Sequence, residues 1–132
     1  FFKQKTAYEI VDCDWSSDVC SSDLDGSQIR ELMHPAQHAA FGSRAQSLAE
    51  ATIVPGAQTE LHKHHRAEEI YHITQGAGRM TLGADQFDVV PGDTICIPPG
   101  TPHCITCTSD LPLKILCACT PAYAHEDTEI IK

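Results

Sequence analysis

The chain has 132 residues, a formal net charge of -9 and an ordinary apolar share of 42%. That length fits one domain able to bury a core without disulfide staples. The acidic balance excludes nucleic acid and anionic membrane as partners, since both reward Lys and Arg. No apolar run approaches the ~18 to 20 residues that cross a bilayer, and there is no signal-peptide apolar region.

The first 24 residues, "FFKQKTAYEIVDCDWSSDVCSSDL", carry neither helical nor strand periodicity and hold the only Trp and two of the seven Cys. The segment resembles a translated sequencing adapter. It is set aside as a non-native, disordered leader, with the domain expected over residues 25–132 and a natural start at or before Asp25. The remainder stays acidic and keeps Cys96, Cys104, Cys107, Cys117 and Cys119. An odd cysteine count without a secretory signal predicts reduced thiols and a cytoplasmic protein.

Residues 25–42 read as an irregular arm, with Ser27 as candidate cap for a helical turn ending before Pro35. Eight short β-like runs follow: "SLAEATIV", "TELHKH", "EEIYHITQ", "GRMTLG", "DQFDVV", "DTICIP", "HCITCT" and "LKILCACT". Gly83-Ala84 marks a hairpin between the fourth and fifth. The tail "AYAHEDTEIIK" is ambiguous. Turn signals roughly every ten residues predict an all-β sandwich or barrel. No long amphipathic helix is available to cross over between parallel strands.

Residues 61–72, "LHKHHRAEEIYH", hold four histidines and two glutamates. Side chains on a strand alternate faces, so His62 and His64 share one side. "HRA" makes a turn, and an antiparallel return would bring Glu68 or Glu69 back beside the pair. Two imidazoles and a carboxylate on one face suit a divalent transition metal. His103 follows the stiff "PPGTP" turn and opens a strand, where it can complete the set.

These residues resemble the two motifs of a small single-domain cupin of the type-2, RmlC-like superfamily. The first motif reads Gly56, five residues, His62, Lys63, His64, four residues, Glu69, six residues, Gly76. The second reads Gly92, five residues, Pro98, Pro99, Gly100, two residues, His103, with Cys107 where the family has Asn. The spacer is 15 residues, Ala77 to Pro91. The resemblance implies a jelly-roll β-barrel (a double-stranded β-helix) with metal ligands His62, His64, Glu69 and His103. Motif spacing selects Glu69 over Glu68, and alternation agrees by turning Glu69, Tyr71 and Ile73 inward. The competing phase turns Glu68, Ile70 and His72 inward. Wider stretches, "GSQIRELMHP" and "LCACTPAYAHEDTE" among them, resemble an uncharacterised group of bacterial cupins.

The resemblance implies one divalent metal, with Fe, Mn, Ni, Cu and Zn all compatible with three nitrogens and one oxygen. It points to a metalloenzyme of oxygenase or isomerase type acting on a small polar organic molecule. The alternatives are a non-catalytic metal-dependent binding or sensing module and a purely structural site. Tyr71 is the one inward titratable candidate for catalysis, and a homodimer is expected by resemblance. Cys104 should face away from His103. Cys107 shares the His103 face but stands roughly 13 Å along the strand, too far to join one metal. Cys117 and Cys119 share a face, where they could form a disulfide or second metal site or act as small buried apolar residues. His34, His38, His65, His72, His125 and Arg79 read as structural or surface residues.

Overall fold

The computed structural model describes residues 19–20, 27–38 and 42–132. Apart from Val19–Cys20, the expected leader lies outside the described residues. The elements are β1 (Val19–Cys20), β2 (Ser27–Met33), α1 (Pro35–His38), β3 (Ser47–Ile53), β4 (His62–His64) and β5 (Glu68–Gln75). β6 (Gly78–Leu82), β7 (Asp85–Val89), β8 (Thr94–Ile97), β9 (His103–Cys107) and β10 (Leu113–Thr120) follow. A 3-10 turn at His125–Asp127 leads into β11 (Thr128–Ile130). All eight strands read from the sequence form, as β3 to β10.

They build two antiparallel sheets, ordered β1-β2-β3-β10-β5-β8 and β11-β4-β9-β6-β7. The fold is an all-β jelly roll. Period-two alternation sets the inner walls. On β5, Glu69, Tyr71 and Ile73 are buried while Glu68, Ile70 and Thr74 are exposed. Ile95 and Ile97 of β8 repeat the pattern. Ile53, Ile73, Met80, Ile105, Leu113 and Ile115 form the fully buried apolar centre between the sheets. Each such side chain contributes about 1.5–3 kcal/mol by leaving water.

The Gly83-Ala84 hairpin forms as expected, with Leu82 paired to Asp85 across a two-residue loop. Gly76, the last glycine of the first motif, has φ +77°, and a Cβ there would meet the Pro112 carbonyl oxygen at 2.7 Å. Both the backbone conformation and the close strand approach therefore call for glycine.

One expectation is corrected, and one ambiguous stretch takes a definite form. Ser27–Met33 is a strand rather than an irregular arm with a helical turn, and it pairs with β3 from Ser27↔Ile53 to Met33↔Leu48. The unpaired edge of β3 supplies backbone partners and buries Ser27 and Met33. That gain outweighs the modest helix preference of Arg30, Glu31, Leu32 and Met33. A helix forms only after it, with Pro35 at its first position, where a missing N–H costs nothing. The ambiguous tail becomes β11, which pairs Thr128, Glu129 and Ile130 with His64, Lys63 and His62. Among the described residues, no helix is long and apolar enough to cross a membrane.

Candidate metal centre

His62 and His103 are direct cross-strand partners of β4 and β9, so both imidazoles enter the barrel from one sheet. His64 follows two residues on, on the same face. Glu69 arrives from the other sheet. The antiparallel return expected between β4 and β5 does not form: β4 pairs with β9 and β11, and β5 with β8 and β10. The Arg66-Ala67 turn instead carries the chain from one wall to the opposite one. Asp127 fixes that crossing by accepting the Arg66 and Ala67 backbone N–H groups, each at 2.9 Å.

One donor atom from each of His62, His64, Glu69 and His103 lies within 4.8 Å of the others. His64 Nε2 is 3.1 Å and His103 Nε2 3.4 Å from Glu69 Oε1. Glu68 is exposed and Glu69 buried, as the motif spacing requires.

The outer nitrogens decide which way the lone pairs face. His62 Nδ1 lies 2.7 Å from the Glu60 carbonyl oxygen and His103 Nδ1 3.0 Å from that of Thr101. A carbonyl only accepts, so both Nδ1 atoms carry hydrogen. His64 Nδ1 lies 2.9 Å from Thr128 Oγ1, whose own hydrogen goes to the Ala124 carbonyl. That hydroxyl has no hydrogen left to give, so His64 Nδ1 also donates. In the neutral rings all three Nε2 atoms present lone pairs toward one carboxylate. Lone pairs and an anion repel unless a proton or a metal cation stands between them. His103 Nε2 is fully buried without a hydrogen-bond partner, a costly state that a metal bond would relieve.

The electrostatics run the same way. Burial alone would raise the Glu69 carboxyl, but the His103 and His64 rings, where a proton stands between their nitrogens and the carboxylate, bring it down to about 2. It is a carboxylate throughout the physiological range. Burial, and then the neighbouring His103, lower the His62 imidazole below 6.5 and favour its neutral, ligating form. His62 is the half-buried member of the set; His64, Glu69 and His103 are buried. The donor set could therefore hold a metal ion.

Residues 49–119 match the cupin domain family. The chain is a cupin. It is 54% identical over 108 residues to an uncharacterised protein of Methanocaldococcus jannaschii, covering 82% of this chain and 84% of that protein. Among solved structures it resembles oxalate decarboxylase from Bacillus subtilis (TM-score 0.73, 23% identity) over 87% of this chain and 30% of that one. It also resembles a cupin-superfamily sugar phosphate isomerase from Silicibacter pomeroyi (TM-score 0.61, 24% identity) over 72% of this chain and 59% of that one. The cupin thus spans under two thirds of either enzyme, and these likenesses establish the fold.

The other candidate residues separate cleanly in this cupin. Tyr71 is buried, with its ring centroid 5.9 Å from that of His103. Burial, then the Glu69 charge, pushes its phenol well above the ordinary value, so it is a neutral hydroxyl. Arg79 is an exposed strand residue paired with Asp88 at 3.1 Å. His72 bonds Thr94 on the outer face of β5, and exposed His65 meets Glu129. His34 reaches the Tyr123 carbonyl, while His38 is buried beside it.

Cys96, Cys104, Cys107, Cys117 and Cys119 are free thiols. Cys107, at the position where the family motif has Asn, directs its sulfur to the Leu111 carbonyl and not to the centre. Cys119 directs its sulfur to Glu69 Oε2 at 3.3 Å. Sequence reasoning missed this contact, and missed Glu60, Thr101, Thr128 and Asp127 as the groups that orient the donors. Motif spacing names ligands, whereas their orienting partners come from other strands or from backbone carbonyls that carry no sequence signature.

Proposed function

We propose that this cupin binds one divalent transition metal through His62, His64, Glu69 and His103, as a small metalloenzyme acting on a small polar organic molecule. The observation that carries the reading is the shared orientation of three imidazoles, each held by an Nδ1–H donated to a fixed oxygen. Such outer partners set ligand direction and tautomer in metal sites. A metal held by three nitrogens and one oxygen supplies a Lewis-acid or redox centre, and iron, manganese, nickel, copper or zinc would suit the donors.

The chain's own residues have defined parts in this reading. His62, half-buried, stands on the accessible side. Glu69 supplies the negative charge, and the neutral Tyr71 ring packs at the buried side, its centroid 5.9 Å from that of His103. Enzymes of this fold are named for oxalate and for sugar phosphates, which supports a small polar substrate by analogy of fold alone. Oxygenase and isomerase chemistry both fit. The same reading takes residues 25–132 as a cytoplasmic, homodimeric domain behind an adapter-derived leader.

The test is metal analysis of purified protein by plasma mass spectrometry, beside a His103→Ala variant. About one equivalent of one transition metal in the wild type and near-background content in the variant is the expected result. Equal metal content in both overturns the assignment. Oxygen uptake or substrate conversion lost in the same variant would then separate an enzyme from a module that binds its ligand unchanged.

A further inference from the structure

The two oxygens of Glu69 face different chemistry. Oε1 turns to His64 and His103. Oε2 receives the Cys119 thiol at 3.3 Å. Cys119 and Glu69 are direct cross-strand partners of β10 and β5, so the backbone register itself sets this contact. Both residues are buried. A carboxylate oxygen only accepts, so in this contact the sulfur is the donor through its S–H.

Cys117 serves as the internal comparison. It lies two residues back on the same inward face, opposite Tyr71. Its sulfur leans on the Ile115 carbonyl of its own strand at 3.9 Å. A thiol kept only as a small apolar filler behaves as Cys117 does. Cys119 differs by touching a carboxylate that belongs to the donor cluster, beside the buried and unpartnered Nε2 of His103.

We propose that Cys119 is a positioning residue of the metal centre: its S–H holds Glu69 Oε2, so that Oε1 alone is turned toward His64 and His103. The proposal rests on the metal reading above. The terminal torsion of a glutamate is soft and roughly two-fold. Without an anchor on one oxygen, the carboxylate swings and can offer either oxygen or both. The thiol thereby selects a single-oxygen ligand and fixes its direction.

The test uses cobalt(II) as the probe, titrated into wild-type protein, Cys119→Val and Cys119→Ser, with affinity from calorimetry and coordination from the visible absorption bands. Cys119→Val is expected to bind about 10–100-fold more weakly, the range for lost outer partners, with displaced bands. Cys119→Ser, whose hydroxyl still donates, is expected to restore both. Wild-type affinity and bands in Cys119→Val overturn the proposal. So does Cys119→Ser failing in the same way as Cys119→Val, which would mark a packing role.

Should the valine variant not fold, infrared spectra of wild type and Cys119→Ser decide. A lowered S–H stretch present in the first and missing in the second supports the donor role, and its absence refutes it. Failure of the wild type to bind cobalt at all overturns the metal reading itself, whatever the variants do.

Discussion

Glu69 and His64 stand five residues apart in the chain, yet they meet at 3.1 Å from opposite walls of the barrel. The contact is made by a chain crossing and not by a hairpin. The centre therefore joins the two sheets, and anything that loosens the crossing or turns an imidazole acts on all four donors. Four consequences can be measured.

Thr128→Val keeps the side-chain volume but removes the acceptor of His64 Nδ1–H. The imidazole is then free to turn or to take the other tautomer. Metal affinity is expected to fall about 10–100-fold, and the metal-free protein to lose about 1–3 kcal/mol, because the buried His64 N–H and the Ala124 carbonyl both lose their partner. Calorimetric titration with zinc or cobalt against both proteins checks this. Unchanged affinity would mean that Thr128 does not set the His64 tautomer.

Asp127→Ala strips the acceptor from two backbone N–H groups at the crossing, those of Arg66 and Ala67. An unsatisfied buried donor costs about 1–3 kcal/mol. A loss of that order in urea unfolding is expected, together with weaker metal binding, because the same turn carries His64 and Glu69. A variant as stable as wild type would remove Asp127 from any anchoring role.

Acid should reveal the Glu69 charge. Its folded-state value, about 2, is depressed from 4.5, so its contribution to stability is complete above 4.5 and lost as pH falls toward 2. His62, lowered from 6.5, acts with the same sign: its contribution is present above 6.5 and lost as pH falls below it. In the metal-free state, wild type should lose stability relative to Glu69→Gln between 4.5 and 2. Parallel stability-versus-pH curves for the two proteins in that window would contradict the depressed carboxyl.

Gly76→Ala should be costly well away from the centre. Its φ of +77° is left-handed, and the new Cβ would strike the Pro112 carbonyl oxygen at 2.7 Å. About 1–2 kcal/mol for the conformation alone, plus the clash, should appear as a lower melting temperature with metal stoichiometry kept. Gly92→Ala provides the contrast: φ is +97° but nothing lies within 4 Å of a Cβ there, so only the conformational cost applies.

The sequence by itself determined the β class, the eight strands β3 to β10, the Gly83-Ala84 hairpin and the four residues, His62, His64, Glu69 and His103, that meet in one cluster. Each is written in local signals: alternation of two, turn residues, and a spacing that puts His62 and His64 on one face and picks Glu69 over Glu68. It misread Ser27–Met33 because local helix preference is weak beside the backbone partners that an open sheet edge offers. It misread the route from His64 to Glu69 because a turn motif says that the chain reverses, not which sheet receives the next strand. Only the tertiary structure decided that β11 would bring Thr128 to His64, that Asp127 would clasp the crossing, and that Cys119 would lie against Glu69 while Cys117 would not. Those contacts join residues 50 to 64 positions apart, and strand pairing at that separation is fixed by the packing of the whole barrel, which no short stretch of sequence records.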